Sequence, residues 1–378
     1  MTHSAATQPI ASDSATPRAD RWLGARSTAI ASDADVLFHA PSHVFQAPGG
    51  GENQLIQTGI HLERLGLSVR LFSPWVDRLE KYRILHLFGM SVEGLELARV
   101  ARARGLRVVV SPICWFEPSA IYALAANRVR GAIDAAKWSL KRLVPRMPTM
   151  RGALLALADA ILPNSQAEAD QLVQLFGVDR SRIRVVPNGV DPRFARAEGS
   201  LFERTFGDRP DLLYVGRIEP RKNVLALIKS SVALSCSLTV IGRVPPAAEA
   251  FGKACRDAAG PRVRFLPPMA HDDPLLASAY AAARVFALPS WFETPGLAAL
   301  EAGVAGSSVV ITSRGCTREY FGDDAIYVDP SDRRSIIEAS ARALEEGPRA
   351  GLAARLRTNY PWIEVARRTA EAYDDLTQ

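Results

Sequence analysis

Short apolar runs rich in β-branched residues alternate with longer amphipathic stretches along most of the chain. The first series of runs falls at residues 36–39, 69–72, 84–88, 108–111, 160–163 and 184–187, and helical stretches such as 53–65 and 92–104 separate them. Strands that alternate with helices in this way predict a parallel sheet covered by helices on both faces.

Val186-Pro-Asn-Gly-Val-Asp-Pro192 interrupts the alternation with strong turn signals. A second series then begins, with apolar runs at 212–215, 238–241, 263–266, 285–288, 309–312 and 326–328. At 378 residues the chain is too long for one ordinary core. The expected fold class is therefore α/β, with two doubly wound, Rossmann-like parallel-sheet domains facing a central cleft and joined near Asn188. The expected division is a mobile tail over 1–31, a first domain over 32–190 and a second over 191–360, followed by a closing helix within 361–378.

Composition narrows the class. Hydrophobic residues make up 48% and charged residues 23%, as in folded soluble proteins. Cys114, Cys236, Cys255 and Cys316 lie far apart without a CxxC pair, which points to reduced thiols in a cytoplasmic protein. The six histidines form no ligand motif, so no metal site is expected. The tail has no apolar core of the kind a secretory signal carries, and no run is long enough to span a bilayer.

Lys and Arg outnumber Asp and Glu by 46 to 40, and much of the excess sits in 128–151. There Arg128, Arg130, Lys137, Lys141, Arg142, Arg146 and Arg151 face only Asp134, with Ile133, Trp138, Leu140 and Leu143 interleaved. The segment reads either as an amphipathic helix on an anionic inner membrane or as a solvated basic helix face. No zinc finger, RNA-binding aromatic signature or helix-turn-helix supports nucleic acid as a partner.

Candidate chemistry gathers at strand ends. Glu293 and Glu301 flank Gly296, which opens a helix after the run 285–288. Free N–H groups at a helix start, with the helix dipole, suit a phosphate. Carboxylates on either side suit sugar and ribose hydroxyls. The plain alternative is one solvated helix Glu and one capping loop Glu. Ala47-Pro-Gly-Gly-Gly-Glu-Asn53 lets backbone approach an anion closely, or is simply a flexible turn; no Gly-Lys-Ser/Thr follows to make it a P-loop. Gly216-Arg217 and Lys222 offer a guanidinium fork and a point charge for a diphosphate, or a structural salt bridge. Arg221 reads as a surface residue. Gly242 ends another strand where a nucleotide could approach.

From about Asp35 to the C-terminus, these segments in this order resemble the retaining glycosyltransferases of the family 4 type (glycosyl transferases group 1), which have the GT-B fold and serve bacterial polysaccharide synthesis. The Glu293-x7-Glu301 spacing and the Gly216-Arg217…Lys222 segment carry most of the likeness. The resemblance implies that Glu293, Arg217 and Lys222 act at the reacting centre. It implies that Glu301 holds the ribose, and that Gly50, Gly51, Gly216, Gly242, Gly296 and Leu297 bring backbone to a UDP- or GDP-sugar. It implies transfer without a metal to a glycan or lipid-linked acceptor in surface polysaccharide or lipopolysaccharide synthesis. It also implies a closing helix, about 362–376, that crosses back onto the first domain.

Three positions depart from the family. Pro295 stands where an aromatic residue is frequent, and Pro267 stands where glycine is usual and leaves no N–H for a base. Ile113 or Cys114 stands where a sugar-facing His is frequent; His86 reads as a packed strand-end residue, and Glu117 is a weak substitute. The other readings are a non-catalytic sugar-nucleotide-binding scaffold of a polysaccharide assembly complex, or another GT-B sugar-nucleotide enzyme such as an epimerase or phosphorylase.

Overall fold

A computed structural model describes residues 35–42, 44–46 and 49–377. The expected tail over 1–31 lies outside the described residues. The apolar runs form two parallel sheets. The first contains β1 (Val36–His39), β2 (Val69–Leu71), β3 (Ile84–Phe88), β4 (Arg107–Ser111) and β5 (Ala160–Ile161), in the order β2-β1-β3-β4-β5. The second contains β6 (Leu212–Val215), β7 (Leu238–Ile241), β8 (Val263–Leu266), β9 (Val285–Leu288), β10 (Ser308–Thr312) and β11 (Ile326–Val328), in the order β11-β10-β9-β6-β7-β8. β1, β3, β7, β9 and β10 are buried at every position because helices cover both faces, which explains their unbroken apolar character.

The run 184–187 is not a strand, contrary to its apolar pattern. It lies beside β5, where the N–H groups of Arg184 and Val186 donate to the carbonyls of Ile161 and Pro163 at 3.0 and 2.9 Å. The next donor in that alternation, the Asn188 N–H, turns to the Tyr320 hydroxyl instead, and the chain leaves the sheet edge for the second domain.

Separate apolar cores cover the two faces of the first sheet, and a third surrounds the second sheet. The closing helix Trp362–Thr377 contributes Trp362, Val365, Ala366, Ala372 and Tyr373 to the first sheet's core, beside Val36, Phe38 and Leu55. The chain thus crosses between sheets twice, and the crossings run side by side: the Val190 N–H donates to the Tyr360 carbonyl at 2.7 Å. Gly189 permits this closeness, since a Cβ there would lie 2.5 Å from the Trp362 ring. Further contacts hold the halves together. The Glu319 carboxylate accepts from the Gln166 and Ala167 N–H groups at 2.8 and 2.7 Å, capping helix Gln166–Phe176 from the other domain. The Tyr320 hydroxyl accepts from the Asn188 N–H at 2.9 Å and donates to the Asn164 carbonyl at 2.5 Å.

Candidate active site between the two sheets

In open α/β sheets, ligands lie beyond the carboxyl ends of strands where the strand order reverses. In the second sheet that place is between β6 and β9. β6 ends at Gly216-Arg217, and β9 leads through Pro289 to Glu293. In the first sheet the reversal lies between β1 and β3, and β1 leads to the glycine loop. The two places face one another across a cavity of about 680 Å3. A second cavity of about 780 Å3 continues from it past Gly49, Gly50, Gly216 and Leu297 toward Glu301. These volumes suit a small-molecule substrate.

Cations collect on the second-domain wall. A tight turn, Pro220–Lys222, follows β6 and enters helix Val224–Ala233 through Asn223, which adopts left-handed backbone at φ 57°. The turn carries Lys222 inward, and its Nζ donates to Glu293 Oε1 at 2.6 Å. Arg221 is not the surface residue its position suggested. Its side chain is 28% exposed, donates to the Phe292 carbonyl at 3.3 Å, lies over the Phe292 ring and reaches Glu219 at 3.3 Å and Glu293 at 4.0 Å. Arg217 is more open and meets Glu219 at 3.5 Å. Burial alone would raise the Glu293 carboxyl; the charges of Lys222 and then Arg221 outweigh it and hold it below the ordinary carboxylate value. Burial also lowers the Lys222 ammonium, against the pull of Glu293.

Backbone geometry fixes Glu293. Its N–H donates to the Arg314 carbonyl at 3.2 Å and its carbonyl accepts from the Cys316 N–H at 3.0 Å. Gly315, at φ 101°, passes so close that any Cβ would collide with the Glu293 carbonyl. Gly296, at φ 93°, opens helix Leu297–Ala305 and leaves that helix's first N–H groups at the cavity wall.

Glu301 lies in the same helix, buried, in the second cavity. It accepts from the Tyr280 hydroxyl at 2.8 Å and pairs with His271 Nε2 at 2.9 Å. Burial, then the nearby Glu301 charge, pushes the Tyr280 phenol well up. Two fixed neighbours orient the carboxylate and leave lone pairs for further hydroxyls. Sequence reasoning missed His271 and Tyr280, and the segment 269–271, which lines this cavity where Pro267 does not.

Gly50 and Gly51 form the opposite wall. Gly49 precedes helix Gly50–Arg64, and its N–H donates to Glu52 Oε2 at 2.5 Å. A Cβ on Gly50 would lie 3.6 Å from Leu297, and one on Gly51 would lie 3.7 Å from Ile113. The two helix starts therefore face each other at close range. Ala47 and Pro48 of this loop lie outside the described residues.

Ile113 takes left-handed backbone at φ 47°, a costly conformation for a β-branched residue. The loop is held from behind. Glu168 accepts from the Cys114 and Asn164 N–H groups, each at 2.8 Å, and Gln171 binds both the N–H and the carbonyl of Phe116. Burial, the largest influence, raises the Glu168 carboxyl to about 7. His86 stays out of the cleft, bonded to Tyr373 and Ser111 at 2.6 and 2.9 Å, and burial lowers it to about 3. Glu117 accepts from Ser119 and does not line either cavity. Three side chains lining the first cavity carry buried polar atoms without a protein partner, Gln54 Oε1, Trp115 Nε1 and Asn188 Oδ1. Such atoms call for a ligand or water.

Gly216, Arg217, Lys222, Gly242, Glu293, Gly296, Leu297, Gly50 and Gly51 all line the first cavity, and Glu301 lines the adjoining one. Among the described residues, no three His, Cys, Asp or Glu side chains are grouped to hold a metal ion. No described helix is long and apolar enough to cross a membrane.

Comparison with known proteins gives concordant matches. Residues 48–194 match the family described as Glycosyltransferase Family 4, and residues 209–346 match Glycosyl transferases group 1. A D-inositol 3-phosphate glycosyltransferase of Xylanimonas cellulosilytica is 30% identical over 389 aligned positions, covering 87% of this chain and 92% of that protein. Among solved structures, sucrose-phosphate synthase from Thermosynechococcus elongatus superposes with a TM-score of 0.71 at 18% identity, covering 91% of this chain and 99% of that one. Anabaena HepE, in complex with UDP and glucose, superposes with a TM-score of 0.67 at 17% identity, covering 90% and 99%. At these identities the structural likeness establishes the fold.

Proposed function

The chain belongs to the group 1, family 4 glycosyltransferases of the GT-B type, and from that membership we propose that it transfers a sugar, with retention, from a UDP- or GDP-sugar to an acceptor hydroxyl. The observation that carries the reading is the convergence of Arg217, Arg221, Lys222 and the start of helix Leu297–Ala305 on one wall, facing the glycine loop. In the proposed reaction the bond from the anomeric carbon to the diphosphate oxygen breaks. Positive charge grows on the sugar and negative charge on the diphosphate. The three cations and the helix N–H groups stabilise the leaving group, and no metal is required for that task. The acceptor oxygen bonds to the anomeric carbon on the face the diphosphate leaves, and its proton passes to a leaving-group oxygen. Glu293 lies where the sugar would sit, and Glu301, oriented by Tyr280 and His271, receives the ribose. Closure about the paired crossings near Asn188 and Tyr360 would exclude water.

For the acceptor we favour a glycan or lipid-linked saccharide of surface polysaccharide or lipopolysaccharide synthesis, handled on the cytoplasmic side. A phosphorylated polyol is the second reading. Arg151 lines the cleft on the first-domain wall, and the Xylanimonas relative is named for an inositol phosphate acceptor. A non-catalytic sugar-nucleotide binder is the third, supported by Ile113 where the family frequently has His. Incubation with UDP- and GDP-sugars plus either a glycolipid extract or inositol phosphate separates these readings. Nucleoside diphosphate released only with one acceptor assigns transfer and acceptor class. Release with neither, despite donor binding, contradicts transfer.

A further inference from the structure

Helix Arg128–Leu143 has two apolar faces, and only one is used by the fold. Gly131 and Trp138 face inward, where a Cβ on Gly131 would lie 2.5 Å from the Ala125 Cβ and the Trp138 ring stacks on Phe116 at 4.0 Å. Lys141 is also turned inward; its buried ammonium donates to the Pro145 and Met147 carbonyls at 2.9 Å each and closes the C-terminal end. The N-terminal end is closed by Asn127, which accepts from the Arg130 N–H. The helix is thus held firmly at both ends.

The outward ridge consists of Val129, Ile133, Ala136, Leu140 and Leu143, spaced three or four residues apart on one side, with Val144 of the C-cap following it. Val129 is 71% exposed and Leu143 78%, and Ile133, Leu140 and Val144 are each about half exposed. A solvated basic face would carry its charges at the centre of the exposed side. Here helical geometry puts the cations nearest the ridge on its flanks, Arg130 and Lys137 along one edge and Arg128 along the other. Asp134, which pairs with Lys137 at 3.1 Å, is the only acid in the helix.

We propose that this ridge docks on an anionic membrane surface, apolar side chains entering the headgroup boundary and the flanking cations meeting lipid phosphates. An outward apolar stripe edged by Arg and Lys matches such a surface in both polarity and charge. The underside of the same helix packs on residues of the cleft wall: Phe116 and Arg151 both line it, and Arg151 lies over the Phe116 and Trp138 rings. Docking would set the first-domain wall of the cleft beside the lipid, where a membrane-held acceptor presents its hydroxyl. That consequence rests on the proposed transfer; the docking itself does not.

The test is sedimentation of the full chain with vesicles of phosphatidylcholine alone and with added phosphatidylglycerol. The expected result is binding to the anionic vesicles that weakens with salt. The double substitution Leu140→Ser/Leu143→Ser should lower it about tenfold or more. Arg128→Gln and Arg130→Gln should each lower it about fivefold. All of these side chains are exposed, so unfolding midpoints and nucleotide binding should stay at wild-type values. Failure to bind, or binding unchanged in these variants, overturns the inference while leaving nucleotide release with soluble acceptors untouched. Self-association lost in the leucine variant, without vesicle binding, also overturns it and assigns the ridge to a second copy of the chain.

Discussion

Lys222 Nζ lies 2.6 Å from Glu293 Oε1, so the cation proposed to meet a leaving diphosphate is paired with the carboxylate proposed to lie beside the sugar. The pair is largely buried, with side-chain exposures of 15% and 6%. Removing one partner therefore leaves the other short of its counter-charge. Lys222→Ala should lower turnover roughly 10²–10³-fold, the scale for losing one transition-state donor. It should also cost about 1–3 kcal/mol of stability, because Glu293 keeps only the more distant Arg221. Glu293→Gln should cost less stability than Lys222→Ala. Urea unfolding beside steady-state rates checks both, and near-normal turnover in Lys222→Ala would remove it from the site.

Glu301 depends on two neighbours from other segments. His271→Ala should weaken donor binding about tenfold with little change in the rate of bound complex, because the ribose does not react. Tyr280→Phe removes one hydrogen bond to the buried Glu301 and should weaken binding by a similar or smaller factor. A change confined to turnover at saturating donor would contradict the ribose assignment.

Gly315→Ala tests the backbone that aims Glu293. The added Cβ would strike the Glu293 carbonyl, and the left-handed backbone adds strain of its own. The expected cost is roughly 2 kcal/mol or more, with activity falling further than stability does. Gly306→Ala serves as a control, since it shares left-handed backbone at φ 99° but meets nothing within 4 Å.

Glu168 gives a signed pH dependence. Its folded value of about 7 lies above its ordinary 4.5, so between these the folded chain holds a proton that the unfolded chain has lost. Its contribution to stability is fully present below pH 4.5 and is lost as pH rises through about 7, by at most about 1.4 kcal/mol per pH unit. The wild-type minus Glu168→Gln difference in unfolding free energy should fall with pH across that window. A flat difference would show that Glu168 does not titrate there.

Much of the fold was legible because parallel strands buried on both faces read as unbroken apolar runs. The misread run, 184–187, is also apolar and even donates two backbone bonds to the β5 edge, but the departure of the Asn188 N–H to Tyr320 ends the pairing before a strand forms. That the motif residues would gather around one cleft was legible because strand ends and glycine-led helix starts mark positions where backbone can meet an anion. Arg221 was not, since spacing does not reveal that the Pro220–Lys222 turn swings it toward Phe292. His271 and Tyr280 reach Glu301 from the loop after β8 and from helix Pro274–Ala282, and no local pattern ties them to it. Nor could the left-handed backbone of Ile113 be read, because it is imposed by Glu168 and Gln171 some 55 residues away.

The central claim is that this cleft binds a nucleoside diphosphate sugar through Lys222 and its neighbours. Thermal unfolding of wild type and Lys222→Ala with UDP, GDP and their sugar conjugates tests it most directly, since a ligand selective for the native state raises its stability by mass action. The expected result is a rise in Tm with one base, sharply reduced in Lys222→Ala, which still unfolds cooperatively. No rise with any nucleotide, or the same rise in the variant, would contradict the assignment of the cleft.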